Sequence, residues 1–172
     1  MRIKLLALVC CCLVFRALPA AAQPKPGPEH DALKKFDGTW DATVAFMGQE
    51  SKGTAVYKLS LGGLWLTLDF HGDFGGQKFE GRGVTGYDAA KKKYVSCWVD
   101  SMSPSLTLME GEFGKDDKTY TETGESPGPD GKPMKMKSVY DFKDDNTIIF
   151  TMNGVVDGKD QEMMKITYKR KK

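Results

Sequence analysis

The sequence predicts an all-β protein, an antiparallel up-and-down barrel of about ten strands with a short N-terminal helix. Three observations carry this. From Thr39 onward apolar residues recur with period two, not with the 3.6 of a helix. Clusters of Gly, Pro, Asp and Asn interrupt the pattern at spacings of roughly 8 to 12 residues. No helical stretch long enough to cross over between parallel strands intervenes, so short connections make successive strands antiparallel. A long antiparallel meander exposes two edges unless it closes, and closure favours a barrel over an open sheet.

The elements follow in chain order. Arg2 and Lys4 precede an apolar run from Leu5 to Phe15, and Leu18-Pro19-Ala20-Ala21-Ala22 places small residues where a signal peptidase reads. Residues 1–22 are expected to be a signal peptide cut after Ala22, which sends the mature chain to the periplasm or outside the cell. The apolar run falls short of the about 20 residues that a membrane-spanning helix needs. Cys10, Cys11 and Cys12 leave with the leader, so Cys97 alone remains and no internal disulfide forms. In Tyr94-Val95-Ser96-Cys97-Trp98-Val99 that cysteine reads as a small buried strand residue.

The charge balance changes with the leader. The whole chain has 25 Lys+Arg against 23 Asp+Glu, and three of the basic residues, Arg2, Lys4 and Arg16, lie within the first 22 positions. The mature chain therefore carries 22 positive charges against 23 negative, about −1. No nucleic-acid partner is expected, because phosphate binding needs clustered excess Lys/Arg.

Residues 23–29, rich in proline, read as an extended lead-in, and residues 30–172 as a single β-barrel domain. His30 to Phe36 fits about two helical turns with Leu33 and Phe36 on one face, a plug or lid for the barrel. The strand runs are Trp40-Ala42-Val44-Phe46, Ala55-Tyr57-Leu59-Leu61, Leu64-Leu66-Leu68-Phe70, Met134-Met136-Ser138-Tyr140-Phe142 and Met164-Ile166-Tyr168, each alternating with more polar residues. The 94–99 segment and Ile148-Ile149-Phe150 carry apolar residues on both faces, which leaves their inward set open.

Few motifs bear chemistry. Gly81-Arg82-Gly83-Val84-Thr85-Gly86 has dinucleotide-fold spacing, but no helix follows its last glycine, and glycines alternating in a strand more often mark a bulge or a barrel corner. Asp69, His71 and Asp73 alternate on one face of one strand and are the only acid–imidazole constellation; a solvated outer face explains them more simply than a catalytic set. Glu110 and Glu112 read the same way. With two histidines in the chain and no metal-ligand spacing, neither a metal nor a cofactor is expected. Met134, Met136, Met152, Met163 and Met164 crowd the last third, where soft thioethers suit either a packed core or the wall of a pocket.

Gly38-Thr39-Trp40, opening the first strand after a short helix, resembles the signature of the calycins, the lipocalins and fatty-acid-binding proteins. The resemblance implies that Trp40 closes one end of the barrel and that Lys169 or Arg170 packs across it. Over a longer stretch the chain resembles a bacterial family of exported proteins known as domain-of-unknown-function family 1579. The segments that carry this likeness include Pro26-Gly27-Pro28-Glu29-His30, Ser51-Lys52-Gly53-Thr54-Ala55, Phe79-Glu80-Gly81-Arg82-Gly83, Gly86-Tyr87-Asp88 and Pro127-Gly128-Pro129-Asp130-Gly131. That family implies no activity. The short Gly48–Lys52 connection departs from the long first loop of lipocalins and argues against a wide mouth.

The expected function is a monomeric, noncatalytic module that binds a small apolar or amphipathic molecule. Its lining is expected from Trp40, Phe46, Tyr57, Leu66, Phe70, Met136, Ser138, Tyr140, Phe150 and Tyr168. Two alternatives stand beside it: a filled barrel acting as an envelope or surface interaction protein, and a small hydrolase or isomerase using Asp69, His71 and Asp73. The first requires a solid core; the second requires those three side chains to face a cavity.

Overall fold

The structure, a computed structural model, describes residues 23–128, 131–156 and 158–172. The expected signal peptide and its three cysteines lie outside the described residues, as do Pro129 and Asp130. After α1 (Pro28–Leu33) come β1 (Gly38–Phe46), β2 (Gln49–Ser60), β3 (Trp65–Phe74), β4 (Gln77–Asp88), β5 (Lys93–Asp100), β6 (Ser103–Phe113), β7 (Thr119–Pro127), β8 (Pro133–Asp144), β9 (Thr147–Val156) and β10 (Lys159–Arg170). Every strand pairs with its sequence neighbours, and β1 closes on β10 in one barrel. The closing register sets Trp40 opposite Arg170 and Phe46 opposite Met164.

Alternation turns one face of each strand inward. Trp40, Ala42 and Val44 on β1 are buried, as are Ile166 and Tyr168 on β10. The segments that carried apolar residues on both faces resolve the same way: Tyr94 is buried and Val99 is 45% exposed, while Ile148 and Phe150 are buried.

The helix differs in position from its expected span. It begins at Pro28, whose fixed φ suits a first helical turn, so the last two lead-in residues belong to it. Residues 34–36 continue as tightened turns, with the Phe36 amide donating to Leu33 O at 3.1 Å. Leu33 and Phe36 are buried, so the plug role holds. The Gly27 amide donates to His30 Nδ1 at 3.0 Å, which makes that histidine a helix-start partner.

Two further expectations change. Leu61 is not a strand residue: the chain turns through a 3-10 segment at Leu61–Gly63, and Leu61 is 76% exposed. The glycines of β4 mark no bulge, since the registers with β3 and β5 run through them unbroken. They make room for tryptophans instead. A Cβ on Gly81 would lie 2.2 Å from the Trp98 ring, and one on Gly86 would lie 2.5 Å from the Trp65 ring.

Candidate functional site

One end of the barrel is sealed from the residues upward. Trp40 Nε1 donates to Phe36 O at 2.7 Å, and the Arg170 guanidinium stacks 4.1 Å from the Trp40 ring. Arg170 also donates to the carbonyls of Lys35 (3.1 Å), Asp145 (2.8 Å) and Asp37, tying the helix end to the β8–β9 turn. Of the two basic candidates it is therefore Arg170 that packs on Trp40; Lys169 reaches sideways to Thr147 Oγ1 at 2.8 Å. Phe36 then meets Tyr57, Tyr140 and Phe142 at centroid distances of 5.3, 5.2 and 4.9 Å, an aromatic floor above the plug. The Tyr94 hydroxyl donates to Glu29 O at 2.7 Å and holds the helix down.

Above that floor the barrel is hollow. A cavity of about 500 Å³ is lined by Leu66, Leu68, Phe70, Phe74, Phe79, Trp98 and Phe150, and by Met109, Met134, Met136, Met152, Met163 and Met164. Its apolar wall continues to the surface at the opposite end, where Phe46 and Met102 are 39% and 64% exposed. Nine of the ten expected lining residues border this cavity: Phe46, Tyr57, Leu66, Phe70, Met136, Ser138, Tyr140, Phe150 and Tyr168. Trp40 does not, because the helix and Arg170 hold its ring in the sealed end below the floor.

The polar groups gather at depth. Glu122, 7% exposed, accepts at Oε2 from Ser96 Oγ (2.9 Å) and from the Tyr120 hydroxyl (3.3 Å). Burial pushes its carboxyl above the ordinary carboxylate range, and those two hydrogen bonds pull partly against it. Register sets Ser138 beside Glu122. The Tyr57 hydroxyl is buried without a hydrogen-bond partner, with Tyr168 and Tyr140 as phenolic neighbours. Desolvation raises the phenols of Tyr57, Tyr120, Tyr140 and Tyr168, so all four are neutral donors at physiological pH.

Glu122, Ser96, Trp98 and Met109 were absent from the sequence-derived set. The segment Thr119-Tyr120-Thr121-Glu122-Thr123-Gly124 alternates, but with threonine on one face and only one aromatic on the other it shows no apolar stripe. Its signal lay in Tyr120, whose inward face Glu122 shares by parity.

Asp69, His71 and Asp73 lie on the outer face of β3, opposite the cavity-lining Leu66, Leu68 and Phe70. Asp69 pairs with Arg82 at 2.9 Å, the His71 side chain is 58% exposed and 4.0 Å from Glu80, and Asp73 accepts from the Gly76 amide at 2.7 Å. The hydrolase reading required these side chains inside, and the filled-barrel reading required no cavity; neither geometry is present. Glu110 likewise faces out, bonded to Lys91 at 2.5 Å.

A family model described as a protein of unknown function, DUF1579, matches residues 25–170. The chain belongs to the DUF1579 family. No curated protein matches it. Among solved structures, Rv2717c from M. tuberculosis is 12% identical and aligns over 85% of this chain and 99% of its own, at TM-score 0.62. The S-type phycobiliprotein lyase CPES from Guillardia theta is 10% identical over 86% of this chain and 99% of its own, at TM-score 0.54. At these identities the likeness is one of fold, and this DUF1579 member is a closed ten-stranded antiparallel barrel. Among the described residues no helix is long and apolar enough to cross a membrane.

Proposed function

We propose that this protein is an exported, monomeric, noncatalytic module that holds a small apolar or amphipathic molecule inside its barrel. One observation carries the reading: a cavity of about 500 Å³, walled by Leu, Phe, Trp and Met with a few polar groups at its base. That volume and lining match the pockets that bury small ligands, about 300–1,000 Å³ and mostly apolar. Thioether walls adapt to ligand shape at small strain. Export rests on the charged, apolar and small-residue segments of the first 22 positions.

The full chain expressed in an exporting host and examined by native mass spectrometry without detergent tests both parts. The expected result is a polypeptide beginning at Gln23 that also binds the neutral dye Nile red at one saturable site. An uncut chain sinks the export reading; a dye titration without saturation sinks the binding reading.

A further inference from the structure

The charge of the cavity is one-sided. Among the described residues its lining holds two acidic side chains, Glu122 and Asp100, and no lysine, arginine or histidine. Asp100 is occupied near the mouth, accepting from Trp98 Nε1 and from the amides of Met102 and Ser103, each at 2.9 Å. Glu122 sits at depth, and its two hydrogen-bond donors among the described residues, Ser96 Oγ and the Tyr120 hydroxyl, converge on one oxygen, Oε2. Beside this group the Tyr57 hydroxyl is buried and unpaired.

We propose that the cavity selects an amphipathic amine, its nitrogen seated against the Glu122 carboxyl among the tyrosines and its apolar body along the Met, Leu and Phe wall toward the mouth. This rests on the reading of the barrel as a small-molecule holder. A carboxylate or phosphate head would arrive beside Glu122 with no cation in the lining to receive it, and burying an unpaired charge is among the costliest events in a protein. A neutral alcohol would satisfy Tyr57 and leave the acid as it was. An ammonium supplies the counter-charge that lets Glu122 ionise in place, as a charge-assisted hydrogen-bonded pair.

The proton balance follows. The groups facing Glu122 are Ser96 from β5, Tyr120 from β7, Tyr57 from β2, and Ser138 and Tyr140 from β8, none of them basic. Burial favours the protonated carboxyl in the empty cavity, and the two hydrogen bonds to Oε2 pull partly against it. An amine entering as its free base takes that proton: the carboxyl O–H bond breaks, an N–H bond forms, and the two charges arise together as a pair. In water near pH 7 an alkylamine is the ammonium ion, with a pKa near about 10.4 as for lysine. Binding therefore releases to the buffer the proton that the carboxyl held.

Decylamine, decanol and decanoate, each displacing Nile red from the full protein, test this. Decylamine is expected to compete at least about tenfold better than decanol, the effect of one charge-assisted hydrogen bond, with decanoate weakest. Calorimetry in two buffers of different ionisation enthalpy should show net proton release on binding decylamine and none for decanol. Glu122→Gln should lose both the amine preference, read as the ratio of decylamine to decanol affinity within that variant, and the proton release. If that variant melts early, Ser96→Ala, which removes one donor to Oε2, serves instead and should weaken the preference in the same direction. Decanoate binding as well as decylamine, or an amine preference unchanged in E122Q, overturns the assignment while leaving the holder reading intact. Failure of Nile red to bind overturns both.

Discussion

Glu122 is a buried carboxyl, and the cost of burying it depends on pH. Its folded-state carboxyl is raised by desolvation, so the folded chain retains a proton that the unfolded chain gives up above about pH 4.3. Its share of stability is whole below that pH and declines as pH rises toward the folded value. Glu122→Gln removes the titration and keeps the shape. Thermal melts of the two proteins should coincide near pH 4 and separate with rising pH, the variant higher at pH 7; a variant lower at pH 7 would mean that the carboxylate is stabilised by partners other than Ser96 and Tyr120. A second residue shows why a short signature can be specific. Gly38 has φ +126°, and a Cβ there would lie 2.6 Å from Arg170 Nη1. The glycine of Gly38-Thr39-Trp40 thus answers two demands at once, a backbone that side chains avoid and room for the guanidinium that covers Trp40.

At the scale of elements, the six-residue α1 with the turns that follow it decides which end is shut. Its contacts are few but buried: Leu33 is fully enclosed, Phe36 joins the aromatic floor, and Tyr94 reaches up to Glu29 O. Leu33→Ala should cost about 2–5 kcal/mol by urea denaturation, the range for deleting a buried leucine; a loss below about 1 kcal/mol would mean that the plug rides on the barrel without supporting it. The elements also show what the sequence carried and what it hid. Where strands alternate strongly, as in Leu66-Leu68-Phe70 and Met134-Met136-Ser138-Tyr140, period two yielded the inward face directly, and nine expected lining residues border the cavity. It failed on β7, where Tyr120 and Glu122 share the inward face, because an acid in a wall erases the hydrophobic stripe that identifies the wall. The glycines of β4 misled for another reason. Their use, space for Trp65 and Trp98, is set by cross-strand neighbours that only the register brings together.

For the molecule as a whole, closure of β1 on β10 means that no strand can leave without breaking ladders on both sides. With Cys97 the one cysteine beyond position 22, cohesion comes from the core and the ladders, not from cross-links. Such a barrel should unfold as one unit although its ends are built differently, one packed solid around Trp40 and the other hollow beside Trp98. Variants retaining Trp40 alone or Trp98 alone report the two ends by fluorescence, and in each variant the fluorescence melt should coincide with that of its far-ultraviolet circular dichroism. Ligand in the hollow end should then stabilise the sealed end equally. A ligand at one hundred times its Kd adds about 2.7 kcal/mol, and a domain of this size gains about 2–4 °C per kcal/mol, so both tryptophans should report a rise of about 5–11 °C. A rise seen by Trp98 and not by Trp40 would divide the barrel into two units, with the cavity walls able to open while the plugged end stays folded.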